Sequence, residues 1–221
     1  MTSGSIRYSL RTYRWDQVWL AAAFWALFVL MALLAHGRAN EIDIIKGFLG
    51  AVLPLLGGIL SAYSVLDDPA LELHFAAPVP AGRMLAERLG LTLAIAAVAA
   101  LSYQVFLAII GFDMGRLGGY ASVQLSWLVP TLTLTALGCS ASFALRQSSA
   151  GALLAGAVWI VQLIIRGWFL KFDGPSYIML FMGILRPTDP RLAVNRVCLT
   201  GLAAILLAAA RALLKKQERY L

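Results

Sequence analysis

The sequence has little charge. Only 13% of its 221 residues are Asp, Glu, Lys or Arg, and 61% are hydrophobic. Soluble domains carry about 25% charged residues, so this composition excludes an ordinary soluble protein. The missing charge leaves long apolar runs rather than an amphipathic spacing. The runs at 18–35, 47–66 and 89–112 contain no charged residue at all. Uncharged runs of about 18 residues or more predict membrane-spanning helices.

The sequence also lacks the common signatures of a catalytic or metal site. None of its lysines precedes Ser or Thr, which excludes a GxxxxGK[ST] phosphate loop. It has no HExxH zinc motif and no GxSxG nucleophile elbow. We therefore predict no catalytic residue and no metal ligand, and the chain by itself is not expected to be an enzyme. No carboxylate lies deep inside an apolar run, which counts against a proton-coupled transporter and an intramembrane protease.

Cysteine is scarce, and the excess positive charge is not clustered. Cys139 and Cys198 both lie inside apolar runs, which indicates small buried thiols rather than a disulfide or a metal site. The net charge of +7 would suit nucleic acid, but the basic residues are scattered among loops and chain ends. Attraction to anionic lipid headgroups and the orientation rule of membrane proteins explain that distribution better. We expect the lipid bilayer as a partner, and no nucleic acid.

Three further apolar runs bring the predicted spans to six. They cover 117–145, 148–165 and 192–210. The first is longer than a bilayer needs and contains Pro130, which predicts a tilt, a kink or an interfacial start. The last has Asn195 and Arg196 near its start, where the arginine can reach the interface. The predicted fold class is an all-α integral membrane protein, with 1–221 as a single transmembrane domain.

Orientation follows from the distribution of Lys and Arg. With both termini inside, ten of the 18 Lys and Arg residues fall on the inner face. The two chain ends decide the margin, with three arginines before the first span and four basic residues after the last. Because cytoplasmic loops carry an excess of Lys and Arg, we predict cytoplasmic termini in a bacterial plasma membrane.

Two segments outside the spans are distinctive. At 5–17, Arg7, Arg11 and Arg14 share one helical face beside an apolar stripe, which predicts a helix lying in the inner interface. An ordinary basic flank to the first span is the alternative. At 171–191, the core YIMLFMGIL is bounded by Gly-Pro and Arg-Pro pairs. It is too short to cross a bilayer as a helix, so we predict a re-entrant or interfacial segment on the outer side.

The connection between spans two and three, LDDPALELHFAAPVPAGRMLAERLG at 66–90, is longer than two spans need. Pro69 ends the second span, since proline disfavours helix continuation. ALELHFA can then form one or two helical turns, with Asp67 and Asp68 at the favourable N-terminal end. The pattern predicts a short cytoplasmic helix held between two spans, able to transmit movement from a soluble partner. A solvated connecting loop is the alternative.

LELHFAAPVPAGRMLAERL resembles the signature segment of type-2 ATP-binding cassette (ABC-2) exporter permeases. That segment reads approximately T-L-E-x-L-L-x-x-P-V-S, followed by a basic residue and a leucine-rich entry to the third span. The matching residues are Leu71, Glu72, Leu73, Pro78, Val79 and Arg83. The residues that depart from the pattern are Ala70, His74 and Pro80. NRVCLTGLAAILLAAARALLKKQERYL is similar to the last span and basic tail of many small members, and the six-span layout agrees.

The resemblance implies a permease half. Two copies, or this chain and a homologous one, would form the pathway, and separate ATPase subunits carrying ATP and Mg would dock from the cytoplasm. The chain itself would hold no cofactor. Segment 67–83 would be the coupling helix, and the helix at 5–17 would contact the same partner. The residues expected to couple to the ATPase are Asp67, Asp68, Glu72, His74 and Arg83. The substrate class would be amphipathic, lipid-like or polymeric.

The apolar runs offer few polar candidates for a transport pathway. They are Gln104, Gln124, Gln162 and Arg166. Gln162 and Arg166 are four residues apart and share a helical face, but helix–helix hydrogen bonding or interface anchoring explains each candidate better than substrate contact. Two other functions stay open: a membrane scaffold or assembly subunit without transport, and a small secondary transporter. A haem-exporter-like permease has a similar size and layout.

Overall fold

The computed structural model describes residues 15–64, 66 and 81–214, and every regular element among them is helical. The helices are α1 (Trp15–Ala35), α2 (Glu41–Tyr63), α3 (Ala81–Ile109), α4 (Tyr120–Leu145), α5 (Ser148–Ile164), α6 (Arg166–Lys171), α7 (Asp173–Ser176), α8 (Met182–Leu185) and α9 (Leu192–Leu214). A turn of π-helix, Phe48–Val52, lies inside α2, and a 3-10 turn, Met114–Leu117, precedes α4. Over these residues the predicted all-α fold class is confirmed.

Five helices, α1, α2, α3, α4 and α9, are long and apolar enough to cross a membrane. This is the construction of an integral membrane protein. The remaining predicted span is present as α5, an apolar helix of 17 residues. At 1.5 Å per residue α5 is about 26 Å long, whereas the hydrocarbon core of a bilayer is about 30 Å thick.

Two helices begin well before the predicted spans. α2 begins at Glu41 rather than at residue 47, because its first turn holds the acids Glu41 and Asp43, which the helix dipole favours there. Glu41 also accepts hydrogen bonds from His36 Nδ1 at 2.8 Å and from the Gly37 amide at 3.3 Å, which closes the turn after α1. α3 begins at Ala81 rather than at residue 89, so its charged first turns are continuous with the apolar run.

α4 is the central helix and packs against α2, α5 and α9. Small residues allow the close approach to α2: a Cβ at Gly138 would overlap the Gly58 carbonyl. Ser61 Oγ donates to Thr135 O across this contact at 2.9 Å. Membrane helices lack a hydrophobic drive to associate, so close packing of small residues and interhelical hydrogen bonds hold such bundles together.

The peripheral helices expose their apolar side chains. In α1 only 17% of the spanning residues are buried, against 72% in α4. Trp19, Val98 and Ile205 illustrate the outer surface, since each is about 70% exposed or more (74%, 68% and 68%). In water such a surface would be unfavourable. Around a bundle of spanning helices it is the surface that contacts lipid.

The long helices alternate in direction, which gives the bundle two ends. At one end lie the start of α2, the end of α3, the start of α4 and the start of α9. At the other lie the end of α2, the start of α3 and the end of α9, where Leu214 packs with Met84 and Phe143. The predicted interfacial helix with Arg7, Arg11 and Arg14 lies outside the described residues. So do the predicted coupling residues Asp67, Asp68, Glu72 and His74.

Candidate functional site

Residues 165–191, here called the return segment, connect α5 to α9 and fold back against the bundle. The segment contains only the short helices α6, α7 and α8. The side chains of Met179, Leu180, Phe181 and Met182 are buried, and they pack in one cluster with residues of α4 and α9. The middle of the apolar core YIMLFMGIL is therefore covered by the neighbouring helices, whereas Ile178 and Leu185 near its ends are exposed, and the core forms no long helix of its own.

Gln162, near the end of α5, bonds to the backbone of the return segment with both ends of its amide. Its Oε1 accepts from the Leu180 amide at 2.8 Å, and its Nε2 donates to Ile178 O at 3.3 Å. The residue is 8% exposed. Since an unpaired buried backbone group is costly, these two bonds explain why a glutamine stands in an apolar helix.

Asn195 does the same from the start of α9. Its Nδ2 lies 2.9 Å from Ser176 O, 3.2 Å from Tyr177 O and 2.9 Å from Met179 O, so it donates into a cluster of three backbone carbonyls. Of these carbonyls, Ser176 O also accepts a turn hydrogen bond of 3.3 Å from the Met179 amide, whereas Tyr177 O and Met179 O follow the end of α7 and accept no other bond from the described backbone. Gln162 and Asn195 thus replace, from opposite sides, the hydrogen bonds that a continuous helix would have supplied.

The π-helical turn of α2 contacts the return segment. A Cβ at Gly50 would overlap the side chain of Ile184, so the absence of a side chain at Gly50 makes room for Ile184. One residue further, Ala51 O accepts a hydrogen bond of 2.9 Å from Trp159 Nε1 of α5. A π-turn disrupts the regular ladder and is frequent at functional sites. Here it is the point where α2, α5 and the return segment meet.

A charged cluster closes the return segment beside α9. Arg191 binds the Asp189 carboxylate through Nε at 3.0 Å and Nη2 at 2.9 Å, and it binds Asp173 Oδ1 through Nη1 at 2.7 Å. These bonds from the Arg191 side chain, with one from its amide, lower the pKa of Asp189 to about 2. The same two carboxylates raise the pKa of Arg191.

Two predicted pathway residues, Gln104 and Gln124, bond to each other. Gln104 of α3 and Gln124 of α4 exchange amide hydrogen bonds, 2.6 Å from Gln124 Nε2 and 3.4 Å from Gln104 Nε2. Trp127 Nε1 donates to Gln124 Oε1 at 2.8 Å. The arrangement joins α3 to α4 and saturates most of both amides, as expected for polar groups between membrane helices.

The arginines among the described residues have different environments. Arg166 is exposed at the start of α6 and makes no hydrogen bond or ion pair with the described residues. Arg196 donates from Nη2 to Ser122 Oγ at 3.1 Å, and so joins α9 to the start of α4. Arg83 pairs with Glu87 through Nε at 3.0 Å, one turn along α3.

The structure therefore brings Gln104 and Gln124 together and places Gln162 and Arg166 apart from them. Sequence reasoning did not identify the contributions of Asn195, Trp159 and Ile184 to the return-segment site. An asparagine in an apolar run was the available signal for Asn195, but its partners lie 16 to 19 residues earlier in the chain, at the end of the short helix α7 and just after it.

The arrangement consists of hydrogen bonds and packing contacts between the return segment and the helices around it. Among the described residues, no group of three or more His, Cys, Asp or Glu side chains could hold a metal ion. Neither a comparison with protein-family models nor one with curated proteins finds a match to this chain.

Proposed function

We propose that this chain is the transmembrane permease subunit of an ATP-binding cassette exporter. It moves an amphipathic, lipid-like or polymeric substrate, and a separate subunit binds ATP and Mg and hydrolyses the ATP. The observation that carries the proposal is the position of the ABC-2-like stretch. It joins the end of α2 to the start of α3, at the end of the bundle opposite the return segment.

The proposal takes α5 as a sixth span. Seventeen residues is the lower limit of the usual range for a spanning helix, about 17 to 25. Six spans place both termini and the connection at 67–80 on one side, and the excess of Lys and Arg assigns that side to the cytoplasm of a bacterial cell. The return segment then lies on the outer side, where the permease architecture has a re-entrant segment.

Coupling follows from the continuity of α3. This helix runs for 29 residues without a break, from Ala81 to Ile109. The proposed docking element at 67–83 ends in the first turn of α3. A displacement of that element is therefore expected to move α3 as a rigid body. Asp67, Asp68, Glu72 and His74 meet the ATPase in this proposal. Arg83, which pairs with Glu87, lies at the start of α3, where the docking element joins the helix.

Export requires a second permease chain, either another copy or a homologue, because a single bundle of six close-packed helices is too small to enclose a passage for such a substrate. The arginines Arg7, Arg11 and Arg14 lie at the inner interface and contact the same ATPase. Gln104, Gln124 and Gln162 are assigned to helix and segment contacts on the strength of their bonds. Arg166, which is exposed, is the remaining candidate to meet substrate.

Co-purification tests the proposal. The tagged chain, extracted from its native host in mild detergent, is expected to bring down an ATPase that carries a phosphate loop and is identified by mass spectrometry. Glu72→Arg reverses the charge at the docking element and is expected to reduce the recovered ATPase about tenfold or more, since like charges at an interface are strongly unfavourable. Asp43→Arg is the matched control, because it makes the same charge change on an exposed position at the other end of α2.

The alternatives give different results in the same experiment. A scaffold subunit brings down other membrane proteins without an ATPase, and a secondary transporter is recovered without any obligatory partner. Equal loss of the ATPase in Glu72→Arg and Asp43→Arg would mean that the charge reversal acts on folding and that Glu72 has no specific part in binding the ATPase.

A further inference from the structure

A groove of about 620 Å³ runs between α3 and α9 at the end of the bundle opposite the return segment. On α3 it is lined by residues at one-face spacing, Gly82, Leu85, Ala86 and Leu89. On α9 the lining residues are Leu207, Ala208, Arg211 and Ala212. The α3 side extends over seven residue steps, about 10 Å along the helix axis. The groove therefore runs parallel to the bundle, from the last turn of α9 inward.

Among the described residues that line the groove, Arg211 alone is charged, and it lies in the last turn of α9, at the end of the groove farthest from the middle of the bundle. It is exposed and makes no ion pair or hydrogen bond with the described residues. Its guanidinium lies against α3 because Gly82 has no side chain: a Cβ there would come within 3.0 Å of Arg211 Nε. The glycine thus lets a cation that pairs with none of the described residues lie at the mouth of an apolar groove.

A second groove on α3 provides a comparison. It lies between α1 and α3, has a volume of about 550 Å³, and is lined by Trp25, Ile95, Val98 and other apolar residues, with Ser102 as the one hydroxyl. None of the described residues that line it is charged. Both grooves are open to the side and both can take an acyl chain, but only the groove between α3 and α9 adds a cation at headgroup depth.

We propose that the groove between α3 and α9 is a binding site for one anionic phospholipid, with the phosphate at Arg211 and an acyl chain along Leu85, Leu89 and Leu207. The groove's direction matches that of a lipid chain in a bilayer, and its charge lies at the end where a headgroup lies. Basic pockets between spanning helices are known to select anionic headgroups, and burial of each methylene adds to the affinity. The site requires only that the chain spans a membrane, and it does not depend on the permease proposal.

Native mass spectrometry of the purified full chain, offered equal amounts of phosphatidylglycerol and phosphatidylcholine, tests the site. The unsubstituted chain is expected to retain one phosphatidylglycerol in preference. Arg211→Gln is expected to reduce that preference about fivefold, which is the contribution expected of one arginine at a membrane surface. Arg146→Gln is the control, because Arg146 is an exposed arginine at the same end of the bundle and outside the groove.

Two further variants test the acyl-chain half of the site without changing charge. Ala208→Phe fills the groove from an exposed position on α9 and is expected to lower phosphatidylglycerol retention as Arg211→Gln does. Ala94→Phe makes the same change in the uncharged groove and is expected to leave it unaltered. The proposal is wrong if Arg211→Gln keeps the preference, if Ala208→Phe keeps it, or if Arg146→Gln or Ala94→Phe abolishes it equally. Unchanged thermal unfolding of all four variants shows that each still folds.

Discussion

The two ends of the bundle use polar residues in opposite ways. At the return-segment end, Gln162 and Asn195 direct their amides to backbone groups inside the protein, and Arg191 binds two carboxylates of its own segment. At the other end, Arg146 and Arg211 are exposed and make no ion pair with the described residues. The buried amides at the return-segment end are satisfied inside the protein, although Arg166 there is exposed as well. At the other end, Arg146 and Arg211 present charge to their surroundings.

This difference indicates what kind of contact each end of the bundle is expected to make. A segment of short, interrupted helices leaves many backbone groups without helical partners, and inside a bilayer each of them must be satisfied by the protein. The return-segment end is therefore expected to be rigid. Unpaired arginines contribute little to folding, and their use lies in contacts with lipid headgroups or with another protein.

The largest effect is expected from Asn195→Leu, which keeps the side-chain size and removes the donor. Tyr177 O and Met179 O then lose the Asn195 donor, and Ser176 O keeps only its bond from the Met179 amide, so the free energy of unfolding is expected to fall by about 3 kcal/mol. Thermal unfolding in detergent measures the loss, and hydrogen exchange is expected to rise across 176–180. Thr200→Val, an exposed position one turn along α9, is the control and is expected to change stability by less than about 0.5 kcal/mol.

A smaller effect is expected where the π-turn meets the return segment. Gly50→Ala forces the Ile184 side chain to move, with an expected loss of about 1–2 kcal/mol. Gly156→Ala has open space around the new methyl group and is expected to be neutral or slightly stabilising. The double variant Gly50→Ala with Ile184→Ala should lose less stability than the sum of the losses in the two single variants. Strict additivity would show that Ile184 does not lie on Gly50.

A pH-dependent effect is expected at the charged cluster. Arg191 lowers the pKa of Asp189 to about 2, below the ordinary value of about 3.9, so the ionised pair stabilises the folded state above pH 4. That contribution is lost as pH falls from about 4 to 2. Thermal unfolding followed over this range should decline more steeply for the unsubstituted chain than for Asp189→Asn, because the amide in that variant does not titrate. Parallel pH dependences of the two proteins would contradict the stabilising pairing of Asp189 with Arg191.

The smallest effect is expected at the other end. Arg211→Gln and Arg146→Gln remove exposed charges that bind no described residue, and each is expected to change the free energy of unfolding in detergent by less than about 0.5 kcal/mol. Thermal unfolding checks this beside Asn195→Leu. A loss near 3 kcal/mol in either arginine variant would remove the distinction between the two ends.

The apolar runs predict the spanning helices well because the requirement is local: a helix in lipid needs an uncharged stretch of sufficient length. The helix starts are less predictable. Glu41 and Lys46 lie inside α2 although they interrupt the apolar pattern, since Glu41 binds the turn before the helix and Lys46 lies within its first two turns. A prediction from uncharged runs alone places the start of α2 after Glu41 and Lys46.

The candidate site is less predictable because its bonds are not local. Sequence identifies Gln162, Asn195 and Gln104 as polar residues in apolar runs, but nothing in their spacing says whether an amide meets a substrate, another amide or a backbone carbonyl. Gly50 is an ordinary glycine in the sequence until Ile184 is packed on it. The coupling residues are a different case, because their prediction rests on the resemblance to a family.

The most direct test of the proposed function is the rate of ATP hydrolysis by this chain reconstituted in liposomes with the ATPase that the proposal assigns to it. We expect Glu72→Arg to lower this rate about tenfold and Asp43→Arg, at the other end of α2, to leave it unchanged. Hydrolysis at the full rate by the Glu72→Arg complex, with the ATPase still bound, would contradict it.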